Sequence, residues 1–138
     1  MFFLRGVVLL SAGSCSAVAG FAQQATFTIA GRVEGASGNH PVYIALWDAT
    51  GFLAHPYQQV RIGPHASVEF RFRVPPGNWA VSAYEDENEN GKLDMGMFGP
   101  KEPSGFWRAF HAWRKPRFGD VSSAIDKDVG NAVIQLRK

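Results

Sequence analysis

Residues 67–94 read SVEFRFRVPPGNWAVSAYEDENENGKLD, and their patterns indicate how the chain is built. Apolar and charged side chains alternate from Val68 to Val74, which is the period of a half-buried β-strand. Two prolines and Gly77 end that strand, because proline lacks a ladder donor and glycine permits a tight turn. Residues 79–84 form a second strand, and the short connection predicts that the two strands pair antiparallel.

Further strand patterns lie on both sides of this pair. Residues 25–33 and 131–137 alternate, and residues 42–48 are apolar on both faces, as in a central strand covered on its second side. Residues 49–63 are interpreted as a long connection and residues 119–125 as a short edge strand. The predicted fold is all-β: an antiparallel β-sandwich of about seven strands, immunoglobulin/prealbumin-like, with a long irregular insert between the late strands.

The amino-terminal segment has the pattern of a secretory signal peptide, predicted as residues 1–22 ahead of a single domain at 23–138. Arg5 is the only charged residue before Arg32, and an apolar stretch and small residues follow Arg5. We therefore expect a periplasmic or secreted bacterial protein with no transmembrane span once the signal is cleaved.

Cys15 is the only cysteine and lies within the predicted signal peptide. Acylation of this residue in a lipoprotein is the alternative to its removal, but Ala12 stands where a leucine is usual and the apolar core before it is short. Removal of Cys15 with the signal would leave a domain that has no disulfide.

The charge and the scattered reactive residues argue against nucleic-acid binding and against catalysis. The formal net charge is +2, which provides no general field for nucleic acid. The four histidines show no zinc-ligand spacing, and no G-x-S-x-G nucleophile motif occurs. We therefore expect neither an enzyme nor a nucleic-acid partner.

Residues 86–94, which we call the acidic loop, carry oxygen-bearing residues at the positions used by a twelve-residue calcium loop. The predicted metal ligands are the side chains of Asp86, Asn88, Asn90 and Asp94 and the carbonyl of Lys92. Gly91 occupies the sharp turn, but Met97 stands where such a loop has its bidentate glutamate. A Ca²⁺ site here would therefore be weak, with a dissociation constant of about 10⁻⁴ to 10⁻³ M. The alternative is a structural turn in which Asx side chains cap their own backbone.

Residues 106–118, which we call the aromatic–basic segment, combine aromatic rings with cations. The candidate binding residues are Trp107, Arg108, Phe110, His111, Trp113 and Arg114. Exposed, they would form a surface for an envelope protein or a polysaccharide. The alternative is a lid of two helical turns over residues 107–114, whose rings cover an open face of the sandwich while the cations stay in water.

The run PPGNWAVSAYEDENENGKLD, followed by FGPKE at 98–102 and by Gly105-Phe106, resembles the DUF2141 family of small exported bacterial proteins. The segment YIALWD at 43–48 resembles an early strand of that family. This resemblance implies a prealbumin-like or carboxypeptidase-regulatory-like sandwich. It also places Asp86, Asn88, Asn90, Gly91 and Asp94 on the family's loop, and it implies no activity.

The expected function is thus a non-catalytic exported binding or accessory module with a weak calcium-type loop. The alternative is a purely structural envelope protein, without a metal, whose aromatic–basic surface binds a protein or polysaccharide partner.

Overall fold

The structure, a computed structural model, describes residues 25–112 and 114–138. The predicted signal peptide with Cys15, and Trp113 of the aromatic–basic segment, lie outside the described residues. The described elements, in chain order, are β1 (Phe27–Glu34), β2 (Val42–Trp47), β3 (Gln58–Ile62), β4 (Glu69–Val74), β5 (Gly77–Glu85), β6 (Met95–Gly96), β7 (Gly99–Pro100), β8 (Ser104–Phe106), α1 (Phe118–Val121), β9 (Ser123–Ile125) and β10 (Val129–Gln135).

The strands form two facing sheets, and the predicted all-β, sandwich-like fold is confirmed. The small sheet has the order β10-β1-β4, and the large sheet has the order β3-β2-β5-β8, with β9 paired to β5. Strands β6 and β7 form a separate two-stranded hairpin, which we call the β6–β7 hairpin. The β1–β10 pair is parallel, whereas the sequence predicted an antiparallel sandwich throughout.

The alternating side chains fill the space between the two sheets. Ile29, Phe72 and Ile134 of the small sheet pack in one cluster with Ile44 and Val81 of the large sheet, and all five are at most 1% exposed. Strand β4 shows the predicted alternation of buried and exposed residues throughout. This interior supplies most of the apolar burial that stabilises the domain.

The predicted antiparallel pairing of residues 68–74 with residues 79–84 is wrong. Strand β4 pairs with β1 in the small sheet, whereas β5 pairs with β2 in the large sheet. The intervening prolines cannot donate to a ladder, so the chain crosses from one sheet to the other at this turn. The Trp79 indole N–H donates to the Pro75 carbonyl at 2.9 Å and holds the crossing in place.

Three local predictions also need correction. The connection at 49–63 contains the edge strand β3, and the predicted edge strand at 119–125 begins as helix α1, so that only its last residues form β9. The two helical turns predicted over residues 107–114 are absent from the described part of that segment. Trp107 packs on the main core, whereas Phe110 packs on a different cluster. In a helix these two residues, three apart, would lie on the same face and would pack against the same neighbours.

Strand β8 joins the two sheets at one edge. It pairs with β5, and Ser104 also exchanges two backbone hydrogen bonds of 3.0 Å with Arg137 beyond the end of β10. Gly105 is required at this contact, because a Cβ there would lie 2.3 Å from the Gln135 carbonyl oxygen. In the part of the chain that the structure describes, no helix has the length and apolar character needed to cross a bilayer.

Candidate functional site

The acidic loop begins at a buried carboxylate that caps it. Asp86 is 1% exposed, and its two oxygens accept the backbone N–H groups of Gly91 at 2.7 Å and Asn90 at 3.3 Å. Gly91 adopts a φ of 79°, the left-handed conformation that lets the loop fold back over this carboxylate. The backbone N–H of Asp86 donates to the Pro41 carbonyl, which fixes the start of the loop beside β2.

The far end of the loop is closed by Asp94. Its carboxylate accepts hydrogen bonds from the side-chain amide of Asn90, at 2.9 and 3.1 Å, and from that of Asn88. These bonds, that of Asn90 first, hold the pKa of Asp94 below its ordinary value. The structure therefore joins the side chains of Asn88, Asn90 and Asp94, whereas the Asp86 carboxylate binds the loop backbone.

Glu102 is a residue of this site that the sequence analysis missed. It is 3% exposed, and its carboxylate accepts the backbone N–H groups of Glu87 at 2.6 Å and Asp94 at 3.0 Å. It therefore ties both ends of the acidic loop to the segment that leads into β8. Its partners lie 15 and 8 residues away in the chain, so no local spacing marks it.

The carboxylates of the loop concentrate negative charge near one tyrosine. Tyr84 stacks on Tyr43 with ring centroids 5.3 Å apart. Its pKa is raised well above the ordinary value, first by burial and then by repulsion from Asp86, with smaller contributions that include Glu102 and Asp94. Within residues 25–112 and 114–138, however, no three acidic, histidine or cysteine side chains are grouped so that they could hold a metal ion.

A calcium ion would require a rearrangement of the loop. The amides of Asn88 and Asn90 point their NH₂ groups at Asp94, whereas a calcium ligand must present oxygen. A half-turn of each amide would supply the oxygens at the cost of these hydrogen bonds. In the arrangement that the structure shows, these donors form a self-capped turn.

Beside the loop lies an open cleft of about 1140 Å³ on the outer face of the large sheet. Ala45 and Ser82, paired across β2 and β5, belong to its floor. The β6–β7 hairpin forms one wall, and the aromatic–basic segment contributes to the other. The hairpin side chains are unusually exposed for apolar residues: Met95 is 63% exposed, Met97 90% and Phe98 88%.

A second apolar cluster lies on the same face of the large sheet as the cleft and shares residues with the cleft lining. Its buried members are Ala45, Trp47, Ala80 and Val121, and Phe52, Phe106, Phe110 and Phe118 pack against them. The Trp47 indole N–H donates to the Ser82 hydroxyl at 2.8 Å, and the Phe52 ring meets Trp47 edge-on. The aromatic–basic segment thus covers part of this sheet face with half-buried rings, while its cations Arg108, His111 and Arg114 are exposed.

A family model matches residues 32–132, which is well over half of the chain. The chain belongs to the DUF2141 family. The family is described as uncharacterized proteins conserved in bacteria, and the suspected resemblance is confirmed. Searches of curated proteins and of solved structures found no significant match. The matched region of this DUF2141 chain contains the acidic loop, the β6–β7 hairpin and the aromatic–basic segment.

Two of the predicted binding cations of the DUF2141 domain are engaged in its own structure. Arg114 forms a bidentate pair with Asp120, at 2.7 and 3.1 Å, and lies 5.1 Å from the Phe110 ring centroid. This pair, together with the Arg117 backbone N–H, lowers the pKa of Asp120 to about 2. Arg108 donates to the Ser122 carbonyl at 3.0 Å.

The cleft of the DUF2141 domain is cationic as well as apolar. Its lining includes Lys92, Lys115 and Arg137 together with His111 and the paired Arg114. Among the described residues that line it, none is an aspartate or a glutamate. The formal net charge of the whole chain is only +2, so the positive character of this cleft is local.

Proposed function

We propose that this DUF2141 protein is a non-catalytic, exported binding module whose ligand occupies the cleft between the β6–β7 hairpin and the aromatic–basic segment. The exposure of Met97 and Phe98 on one cleft wall carries the proposal, because monomeric proteins rarely leave contiguous apolar surface open without a partner. Concave sites with apolar walls and a few polar groups are the usual form of small-molecule sites.

Export rests on the signal-peptide pattern of residues 1–22. N-terminal sequencing of the protein from the native cell envelope should begin at Gln23.

The buried carboxylates support a non-catalytic role. Asp86 and Glu102 hold the acidic loop as described above, and Glu85 accepts the Ser37 backbone N–H at 2.9 Å together with the Ser37 hydroxyl. These bonds favour a structural role over proton transfer for all three.

The binding proposal is tested with Nile red, an uncharged apolar fluorophore. We expect saturable fluorescence enhancement with one dye per protein, and at least a tenfold loss of affinity in Met97→Ser/Phe98→Ser. Because both side chains are almost fully exposed, this double variant should change the free energy of unfolding by less than about 0.5 kcal/mol.

The matched control is Tyr57→Ser, which removes an aromatic ring that is 54% exposed and is not among the cleft-lining residues. It should bind Nile red as the parent protein does. Equal affinity in the parent and the double variant would refute the cleft as the binding site.

A weak calcium site in the acidic loop is a second candidate function. It is favoured by the nearby carboxylates of Asp86, Glu102 and Asp94, which add to the effect of burial in raising the pKa of Tyr84, because such negative charge attracts a cation. At a calcium concentration about tenfold above the dissociation constant, binding to the folded state adds about 1.4 kcal/mol of stability. For a domain of roughly 100 residues, this raises the melting temperature by about 7 °C.

The measurement is thermal unfolding with and without millimolar Ca²⁺, with Mg²⁺ as the control ion. Asp94→Asn keeps the size of the side chain and should abolish the shift. Identical melting with and without calcium would leave the loop as a self-capped turn.

A further inference from the structure

Building on the proposed binding function, we infer that the ligand of the cleft is a free single-chain anionic amphiphile, a long aliphatic chain that ends in a carboxylate or a phosphate. The inference combines the chemistry of the cleft walls, the shape of its floor and the sign of its charge.

The walls suit a flexible aliphatic chain. The β6–β7 hairpin contributes Met95 and Met97, whose unbranched thioethers adapt to irregular apolar partners, and Phe98 lies beside them. Leu53 lines the cleft from the β2–β3 connection.

The floor leaves room for the chain. Ala45 and Ser82 face each other across β2 and β5 on the cleft side of the sheet, and Gly105 lies on the neighbouring strand β8. Gly105 is in register with Ala83, so the residue beside Ser82 on β8 is Phe106. The small Ala45–Ser82 pair lies beside the larger Trp47 and Phe106, which also line the cleft. The cleft volume of about 1140 Å³ slightly exceeds the range of about 300–1,000 Å³ that is common for small-molecule sites.

The charge determines the head group. Lys92, Lys115 and Arg137 line the cleft, and no carboxylate accompanies them among the described lining residues. Arg114 also lines the cleft, but Asp120 neutralises it. A concave site that is lined by cations and has low-dielectric walls attracts an anion more strongly than an open surface does.

A free molecule is favoured over a bilayer because the cations and the apolar side chains line the same concavity. A bilayer is too large to enter the cleft. It would contact the protruding tip of the β6–β7 hairpin and would not reach the floor formed by Ala45 and Ser82. The two sources of an anionic acyl chain are therefore separable by experiment.

The test compares three single-chain amphiphiles by isothermal titration calorimetry below their micellar concentrations: dodecanoate, dodecyltrimethylammonium and dodecyl maltoside. We expect dodecanoate to bind with a stoichiometry near one and at least tenfold more tightly than either of the others. Lys115→Glu/Arg137→Glu should weaken dodecanoate at least tenfold and leave Nile red binding within about twofold. The control Arg71→Glu/Lys127→Glu reverses two exposed cations outside the cleft lining and should bind as the parent does.

Two outcomes would overturn the inference, and both are distinguishable from failure of the proposed function. Retained Nile red binding with no preference for dodecanoate would leave the cleft as a binding site for another ligand class. Co-sedimentation with phosphatidylglycerol vesicles that depends on Met97 and Phe98, without binding of monomeric dodecanoate, would make the hairpin a bilayer contact. Loss of Nile red binding itself would instead refute the proposed function.

Discussion

The acidic loop and the β6–β7 hairpin follow each other directly in the chain, yet their side chains differ in their contacts. Those of the loop form hydrogen bonds within the loop, and those of the hairpin are exposed to solvent. In the loop, Asp86 and Asp94 accept hydrogen bonds from the backbone or from side-chain amides of the loop itself. In the hairpin, Met97 and Phe98 are about nine-tenths exposed. The loop therefore satisfies its own polar groups, whereas the hairpin leaves apolar surface exposed to solvent.

The difference follows from the reach of each interaction. A carboxylate can find N–H donors within a few residues, so a turn rich in Asp and Asn can satisfy itself locally. An apolar side chain in the turn of a short hairpin, such as Met97 or Phe98, has no local cover, because burial requires another element or a ligand. The region with the stronger sequence motif is therefore the more self-sufficient one, and the region without a motif is the more available for binding.

The two regions are also mechanically connected. The Lys101 backbone N–H donates to the Asp94 carbonyl at 2.9 Å, and Glu102 binds the Asp94 backbone N–H. The acidic loop thus anchors the base of the hairpin and thereby the position of one cleft wall.

The largest expected effect comes from removing that anchor with Glu102→Ala. The substitution leaves the N–H groups of Glu87 and Asp94 without their acceptor, and we expect it to lower the free energy of unfolding by roughly 2–4 kcal/mol. Nile red affinity should fall as well, because the hairpin base is released. Urea unfolding measures the first effect and fluorescence titration the second.

Glu102→Gln keeps one acceptor oxygen and should lose about half as much stability. Glu89→Ala removes an exposed carboxylate from the same loop and serves as the control. If Glu102→Ala lowers the free energy of unfolding by no more than Glu89→Ala does, Glu102 does not anchor the loop to the hairpin.

The smallest expected effect concerns the opposite wall, where Arg114 pairs with Asp120. The pKa of Asp120 in the folded protein is about 2, below its ordinary value of 3.8. Because the folded pKa is the lower one, the pair contributes stability above about pH 4, and this contribution is lost as the pH falls through about 2. The pair is solvent-exposed, so its effect on overall stability should be small.

Carboxyl-carbon NMR titration of Asp120 measures this pKa directly. In Arg114→Gln the Asp120 pKa should rise toward its ordinary value, since the bidentate partner is lost. A folded parent protein in which Asp120 already titrates near 3.8 would show that this wall is not held by the pair.

Several features of the fold were predictable from the sequence because they depend on local periodicity. Alternation in β1, β4 and β10 identified the inward faces, and the apolar run of β2 identified a central strand that is covered on both sides. The sharp turn at Gly91, which binds the Asp86 carboxylate, also followed from spacing, because both residues lie within one short loop.

Pairing partners were not predictable in the same way. Residues 68–74 and 79–84 have the pattern of a hairpin, but a Pro-Pro-Gly turn serves a crossing between sheets equally well, and which one forms depends on the distant strands β1 and β2. Strand β3 was missed because its residues, QQVRI, are mostly exposed at a sheet edge and carry little hydrophobic signal.

The sequence by itself determined the all-β class, the family and the position of the sharp turn in the acidic loop, because these depend on residues close together in the chain. Only the tertiary structure decided the rest. It buried Glu102 between backbone groups remote in sequence, and it left Met97 and Phe98 uncovered on a hairpin that the core does not reach. Burial and exposure are properties of the assembled sheets, so a cleft built from several separate segments has no signature in any one of them.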